Sequence, residues 1–225
     1  MKNITDKKIY QNENYKQYNS FMSSDVKNKI ITGCLELFFK YGIKSITVDD
    51  ISFHLGISKK TFYEHFENKN VIINEIVKEF LNRNRLWNKE IIEEKTDVFD
   101  KLIKIYNKML SQFSTCNPRF IYDIKKYNQD IYESINEFRE KELHYMITNL
   151  IRQGKEEGIF RNEIDENIIF EFHINRLDSI IQGNLLPKKN VTDPIFVEFI
   201  KISLIGITTI KGHKIVEQKL KSLKK

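Results

Sequence analysis

Proline and glycine are scarce in this chain, three and eight residues among 225. With so few breakers, long uninterrupted helices are favoured. Cysteine is rarer still. Cys34 and Cys116 stand far apart without C-x-x-C spacing, which argues against a disulfide scaffold and a zinc site. Cys34 falls among Ile30, Ile31, Leu37 and Phe38, the setting of a small core residue. No apolar run approaches the ~18 residues of a membrane span. The opening MKNITDKKIYQNENYKQYNS lacks the apolar stretch of a signal peptide, so a cytoplasmic location away from membranes is expected. Catalytic signatures are missing too: there is no P-loop, no G-x-G-x-x-G and no H-E-x-x-H. His54, His65, His144, His173 and His213 are scattered without ligand spacing. No enzyme, metal or cofactor is expected.

The composition is 40% hydrophobic and 30% charged, ordinary for one globular domain or a small head with a larger body. A net charge of +6 and a pI near 9.0 suit a nucleic-acid partner without requiring one. Residues 1–23 are rich in Asn, Lys, Gln and Tyr and read as a flexible arm. Its Lys2, Lys7, Lys8 and Lys16 could touch a minor groove.

The informative stretch runs from Lys40 to Lys69, KYGIKSITVDDISFHLGISKKTFYEHFENK. Thr47 to Asp50 has the [ST]-x-x-[DE] spacing of a capping box. Ile51 and Leu55 then share one helix face. Gly56 stands where a left-handed residue stops the helix, with Ile57 folding back, and Ser58 can cap the next helix at once. Two helices joined so tightly are a helix-turn-helix, whose usual task is reading DNA. The second helix spans about 10 Å at 1.5 Å per residue and fits a major groove ~12 Å wide. Phe62 and Phe66 share a face and should anchor it, leaving Lys59, Lys60, Thr61, Tyr63, Glu64 and His65 outward. Lys59 or Lys60 can donate to guanine O6 and N7, and Thr61 can meet a thymine methyl or a phosphate. Thr47, Tyr63 and Lys69 lie where phosphate oxygens are the expected partners.

Before this motif, Val26, Ile30, Ile31, Cys34, Leu37, Phe38 and Tyr41 recur at helical spacing and Gly42 ends the helix. After it, Asn68 caps a long helix running to about Glu94. The body reads as further helices near 97–115, 118–127, 129–157, 165–185 and 193–212, then a short lysine-rich tail. The expected fold is all-α, with an arm at 1–23, a three-helix head at 24–70 and a helical-bundle body at 71–225. In the last two long helices apolar residues wrap most of the circumference, so one side needs a cover that a second copy could supply. Ile180, Gly183, Phe199, Ile202 and Gly206 are the candidate interface, with Ser179 and Ser203 among the small residues that permit close approach.

These pieces resemble the DNA-binding head of the TetR family of bacterial transcriptional regulators. The likeness spans residues 25–80 and rests on Tyr41-Gly42, on Thr47-Val48-Asp49-Asp50-Ile51 and on Gly56-Ile57-Ser58. It continues through Thr61-Phe62-Tyr63-Glu64-His65-Phe66 and Lys69. In the body it rests on helix count and on the Gly158-Ile159-Phe160-Arg161 turn. Lys60 stands where many members carry Gly or Ala, Phe53 and His54 are larger than usual there, and Glu64 adds a negative charge to the reading helix. The resemblance implies a homodimer binding a palindromic operator in double-stranded DNA, with a four-helix interface from the last long helices. Thr47, Ser58, Lys59, Lys60, Thr61, Tyr63, His65 and Lys69 occupy its DNA-contact positions. It also implies a repressor whose body holds a small effector. Tyr106, Phe113, Tyr127, Phe172, His173 and Arg176 are the candidate lining, suited to an apolar or amphipathic molecule; Tyr132, Phe138 and Asn175 lie nearby. A helical protein of the same fold that binds another protein, or an activator of transcription, stays open on the residues alone.

Overall fold

The computed structural model describes residues 25–113, 116–181 and 194–222. Its described residues form helices and connecting turns, with one isolated bridge between Phe160 and Thr208. The chain divides into two compact units, Met1–Arg83 with Thr115–Ile135 and Asn84–Ser114 with Asn136–Lys225. The arm at 1–23 lies outside the described residues.

The first unit opens with α1 (Val26–Tyr41), α2 (Val48–Leu55) and α3 (Lys59–His65). The long α4 (Lys69–Glu93) belongs to this unit as far as Arg83. Ile30, Ile31, Cys34, Leu37 and Phe38 are buried as their spacing predicts, while Val26 and Tyr41 at the ends of α1 are exposed. Burial pushes the Cys34 thiol up to about 12, so it is a core residue and not a reactive one. Asn68 Oδ1 accepts from the N–H groups of Asn70 and Val71, which caps α4 as expected.

Two further helices, α6 (Pro118–Tyr127) and most of α7 (Gln129–Glu137), belong to this unit although their spacing reads as part of the body. Asn117 explains the placement. Its N–H donates to Phe39 O at 2.8 Å and its side-chain amide to Lys40 O at 3.0 Å, closing the C-terminus of α1. The buried Asp123 carboxylate accepts the Lys44 N–H at 2.8 Å, and the Phe39 and Phe120 rings meet edge to face at 4.7 Å. These partners sit almost eighty residues apart, beyond the reach of any local pattern.

The second unit is built from α5 (Val98–Phe113), α8 (His144–Glu156), α9 (Glu166–Ile181), α10 (Pro194–Ile205) and α11 (Ile210–Ser222). A π-helical turn, Phe138–Leu143, joins α7 to α8 within the single helix expected at 129–157. Arg85 holds Glu142 through Nε at 2.8 Å with its guanidinium 5.6 Å over the Phe138 ring, and Arg139 pairs with Asp178 at 2.7 Å. Phe99 and Phe160 pack edge to face at the centre of this core. The chain's single tryptophan, Trp87, lies beneath the Lys108 ammonium, 3.8 Å from ring centroid to Nζ.

The C-terminus differs from its sequence reading. One helix over 193–212 and a lysine-rich tail are expected, but α10 ends at Ile205 and a separate α11 begins at Ile210. The break is held by the turn after α8. Arg161 N–H donates to Ile207 O at 3.0 Å, and Thr209 N–H to Ile159 O at 2.9 Å. Thr209 Oγ1 accepts from the Gly212 N–H and so caps α11. Val216 is fully buried, and Lys219 bridges Asp97 at 2.5 Å and Asp100 at 2.6 Å, which docks α11 on the start of α5.

Candidate functional site

The α2–α3 pair is assembled by local chemistry. Thr47 Oγ1 accepts the Asp50 N–H at 3.1 Å while the Asp50 carboxylate accepts the Thr47 N–H at 2.8 Å, so the capping box is complete. The Thr47 hydroxyl, which donates to the Asp50 carboxylate at 2.6 Å, and the Thr47 N–H together hold the Asp50 carboxyl below the usual carboxylate range. Gly56 adopts the left-handed conformation at φ 64°, ψ 36°, where a side chain would be strained. Its N–H donates to Phe53 O and the Ile57 N–H to Ser52 O, the two bonds of a Schellman stop. Ser58 Oγ then accepts the Thr61 N–H at 3.0 Å and starts α3.

Phe62 and Phe66 are buried, their rings 6.2 Å apart, and they fix which side of α3 faces out. Lys59, Lys60, Tyr63, Glu64 and His65 are exposed, as the spacing predicts, while Thr61, also expected outward, is half-buried. Lys59 pairs with Asp49 at 2.5 Å across the turn, and the Lys60 side chain, 87% exposed, comes within 4.0 Å of Glu64. Phe53 is 91% exposed on α2, a large apolar side chain left in water beside this surface. His54 is held by Glu36 at 3.3 Å.

Lys69 is placed differently from the other basic candidates. It is half-buried, and its ammonium donates to Ile43 O at 3.2 Å and to Ile46 O. Burial, with Lys44 nearby, holds its pKa below the usual lysine range, against the pull of Asp123 and Asp50. Two of its three donors thus tie down the loop that carries Thr47, and one is left for a phosphate. Lys69→Ala is therefore expected to cost the head about 1–3 kcal/mol, because two carbonyls lose a charged donor. DNA affinity should fall with it as the Thr47 cap shifts. A denaturation midpoint equal to that of the parent protein would show that the loop holds without this lysine.

A second feature lies in the other unit. An apolar cavity is walled by α5, α8, α9 and α10 with the turn after them, among them Leu102, Ile105, Met109, Ile151, Phe170 and Leu204. Its polar lining is Tyr106 and His173, whose rings meet edge to face at 5.5 Å. The cavity is small, with about 20 Å³ open to the centre of a water molecule. Of the six residues expected to line an effector site, Tyr106 and His173 are therefore brought together. Tyr127 is not among them: it sits on α6 in the other unit, exposed, with Lys44 Nζ 4.8 Å from its ring. Phe172 faces outward, and the Arg176 guanidinium stacks on it at 4.7 Å. The Phe113 side chain lies outside the described residues. Periodicity marks an aromatic stripe but not which side of α9 is covered. Of the interface candidates, Ile202 is 61% exposed and Gly206 is exposed, while Gly183 and the side chains of Ile180 and Phe199 lie outside the described residues.

Residues 30–76 match the bacterial regulatory proteins of the tetR family. The repressor KstR2 of Mycolicibacterium smegmatis is 25% identical over 194 residues, 84% of this chain and 93% of that protein, so the likeness extends through the body. The head of this chain is a TetR-family DNA-binding domain.

Two solved structures show the same fold. The ketosteroid transcriptional regulator KstR2 of Mycobacterium tuberculosis is 20% identical with a TM-score of 0.65, over 84% of this chain and 97% of that one. CprB of Streptomyces coelicolor, solved in complex with its biological operator sequence, is 15% identical with a TM-score of 0.63, over 93% and 98%. The protein is a DNA-binding regulator built as an all-α helix-turn-helix head with a helical body. Among its described residues no helix is long and apolar enough to cross a membrane, and no cluster of His, Cys, Asp and Glu could hold a metal.

Proposed function

We propose that this regulator is a homodimeric repressor that reads a palindromic operator through α3 and lets go when a small apolar effector enters the cavity of its body. The observation that carries the DNA reading is the orientation of α3. Two buried phenylalanines hold one side, and Lys59, Lys60, Tyr63 and His65 stand in solvent on the other. Lys59 and Lys60 read base edges, Thr61 a thymine methyl or a phosphate, and Thr47, Ser58, Tyr63 and the remaining donor of Lys69 the phosphates. The contact of Lys59 with Asp49 is exchanged for DNA on binding. The dimer reading is supported by Ile168 and Phe172, exposed one turn apart on α9, and by Ile202 on α10. The effector reading is supported by the cavity, since a ligand acts only through its affinity difference between two states. Two named relatives, KstR2 and IcaR, are respectively a repressor and a negative regulator.

The test is a binding series on duplex fragments from upstream of the protein's own gene. Affinity should fall steeply with salt, and Lys60→Ala should lose ~1–3 kcal/mol of preference at particular base positions. A uniform loss across operator variants would remove Lys60 from base reading, and binding to no fragment would overturn the repressor. Ile202→Glu should sediment as a monomer; a persistent dimer would place the interface elsewhere.

A further inference from the structure

Among the described residues, five buried side-chain nitrogen or oxygen atoms have no hydrogen-bond partner. Two of the five, Tyr106 Oη and His173 Nε2, belong to the residues that supply the polar lining of the apolar cavity. Buried polar groups are nearly always paired, because an unpaired one forfeits the bonds it made to water. Two orphans on touching rings in one cavity mark a place prepared for a partner that the chain itself does not provide. Tyr106 is buried on α5, and burial raises its phenol far above the usual range, so it stays a neutral O–H that can donate. Burial, with Arg176 nearby, pushes His173 down to about 4, so at neutral pH it is an uncharged ring that can donate or accept. No lysine, arginine, aspartate or glutamate lines the cavity. An ionised ligand would lose its water there with no charged side chain in the lining to pair with.

We propose that the effector is an uncharged, largely apolar molecule with one hydrogen-bonding oxygen, a carbonyl or a hydroxyl, held between Tyr106 Oη and His173 Nε2. The oxygen accepts from the Tyr106 O–H. It meets His173 Nε2 as a second acceptor contact when it is a carbonyl, or as a donor when it is a hydroxyl. The apolar remainder lies against Leu102, Ile105, Met109 and Ile151. Since the cavity now has room for little more than a water molecule, binding must part α5 from α8 and α9. That movement is the difference between the two states on which release depends. This proposal rests on the effector-gated reading above, and it adds the chemical class of the effector.

The experiment uses the full chain and four probes of one length: 2-decanone, 1-decanol, decane and decanoate, with affinities from isothermal titration calorimetry. The ketone and the alcohol should bind at least tenfold more tightly than decane or decanoate. Tyr106→Phe should remove that advantage for the ketone and leave decane binding unchanged. His173→Phe should weaken the ketone in the same direction. Because Tyr106 Oη has no partner in the free protein, Tyr106→Phe should melt at or above the parent temperature, which separates a binding role from a structural one. Decanoate binding as well as the ketone, Tyr106→Phe binding the ketone like the parent, or no probe binding at all would each overturn the proposal. Operator binding is followed in parallel on the upstream fragment. If the ketone binds through Tyr106 while the operator stays bound, the ligand class stands and gated release fails. If the operator is bound but no probe enters, the ligand class fails and the repressor stands.

Discussion

Phe62→Ala is expected to cost the head about 3–5 kcal/mol and to take the protein off its operator. Phe62 is fully buried and lies against Phe66 and Tyr63. Helix α3 has only seven residues, too few to persist on its own, so its existence depends on the side chains it buries. Removing the ring opens a cavity under the helix and also releases the direction in which Lys59, Lys60 and Tyr63 point. Stability and DNA affinity should therefore fall together, read by urea unfolding and by operator titration. Lys60→Ala is the natural contrast. That side chain is almost wholly in solvent, so its loss should leave the unfolding curve within about 0.5 kcal/mol while changing base preference. Full operator affinity in Phe62→Ala would mean that α3 is anchored by something other than its phenylalanines.

Gly212→Ala is expected to detach α11 from the rest of its unit, at about 2–4 kcal/mol. A Cβ at this position would stand 2.2 Å from the Ile159 carbonyl oxygen and 3.0 Å from Thr208 Cβ. The first neighbour is backbone and cannot swing away. It is also the oxygen that accepts from Thr209, so the clash falls on the joint that starts the helix. Beside it, Thr209 Oγ1 donates to Gly158 O and Lys211 Nζ to Glu157 O, both at 2.8 Å, and these contacts would be strained together. Loss of helical ellipticity and faster tryptic cleavage near the C-terminus would report the change. Gly206→Ala, whose added Cβ meets nothing closer than 3.6 Å, should be close to neutral. An unaltered melting temperature in Gly212→Ala would show that the turn relaxes.

These two sites also show what a sequence can disclose and where it stops. The head was legible because its signals are local. Thr47 with Asp50, Gly56, Ser58 and Asn68 act within a few residues of themselves, and each is found doing what its spacing predicts. The buried faces of α1 and α3 followed from period alone. The joint at Gly212 was hidden because its partner, Ile159, lies more than fifty residues away, and the lysines of α11 resemble a solvated tail until Lys219 is seen between Asp97 and Asp100. The packing of α6 with the head was hidden for the same reason, since Asp123 and Asn117 serve backbone groups far upstream. The spacing marks Lys69 as a contact position but not as a tie for the preceding loop, because a charge pattern does not say that an ammonium turns inward. In the cavity, aromatic spacing found Tyr106 and His173 but could not tell them from Phe172 or Tyr127, which differ only in which element lies opposite.

The indole under Lys108 makes the protein its own optical probe. Because Trp87 is the sole tryptophan, all its emission comes from one place between α4 and α5, and no label is needed to watch that place. Burial pushes the ammonium above it down to about 7, against the attraction of Glu90, so the charge over the ring disappears as pH rises through neutrality. The emission should therefore titrate there, and in Lys108→Met it should not. Any molecule that shifts α5 against α4 would move the same signal, so a fluorimeter could screen for ligands before the first gene under control is known.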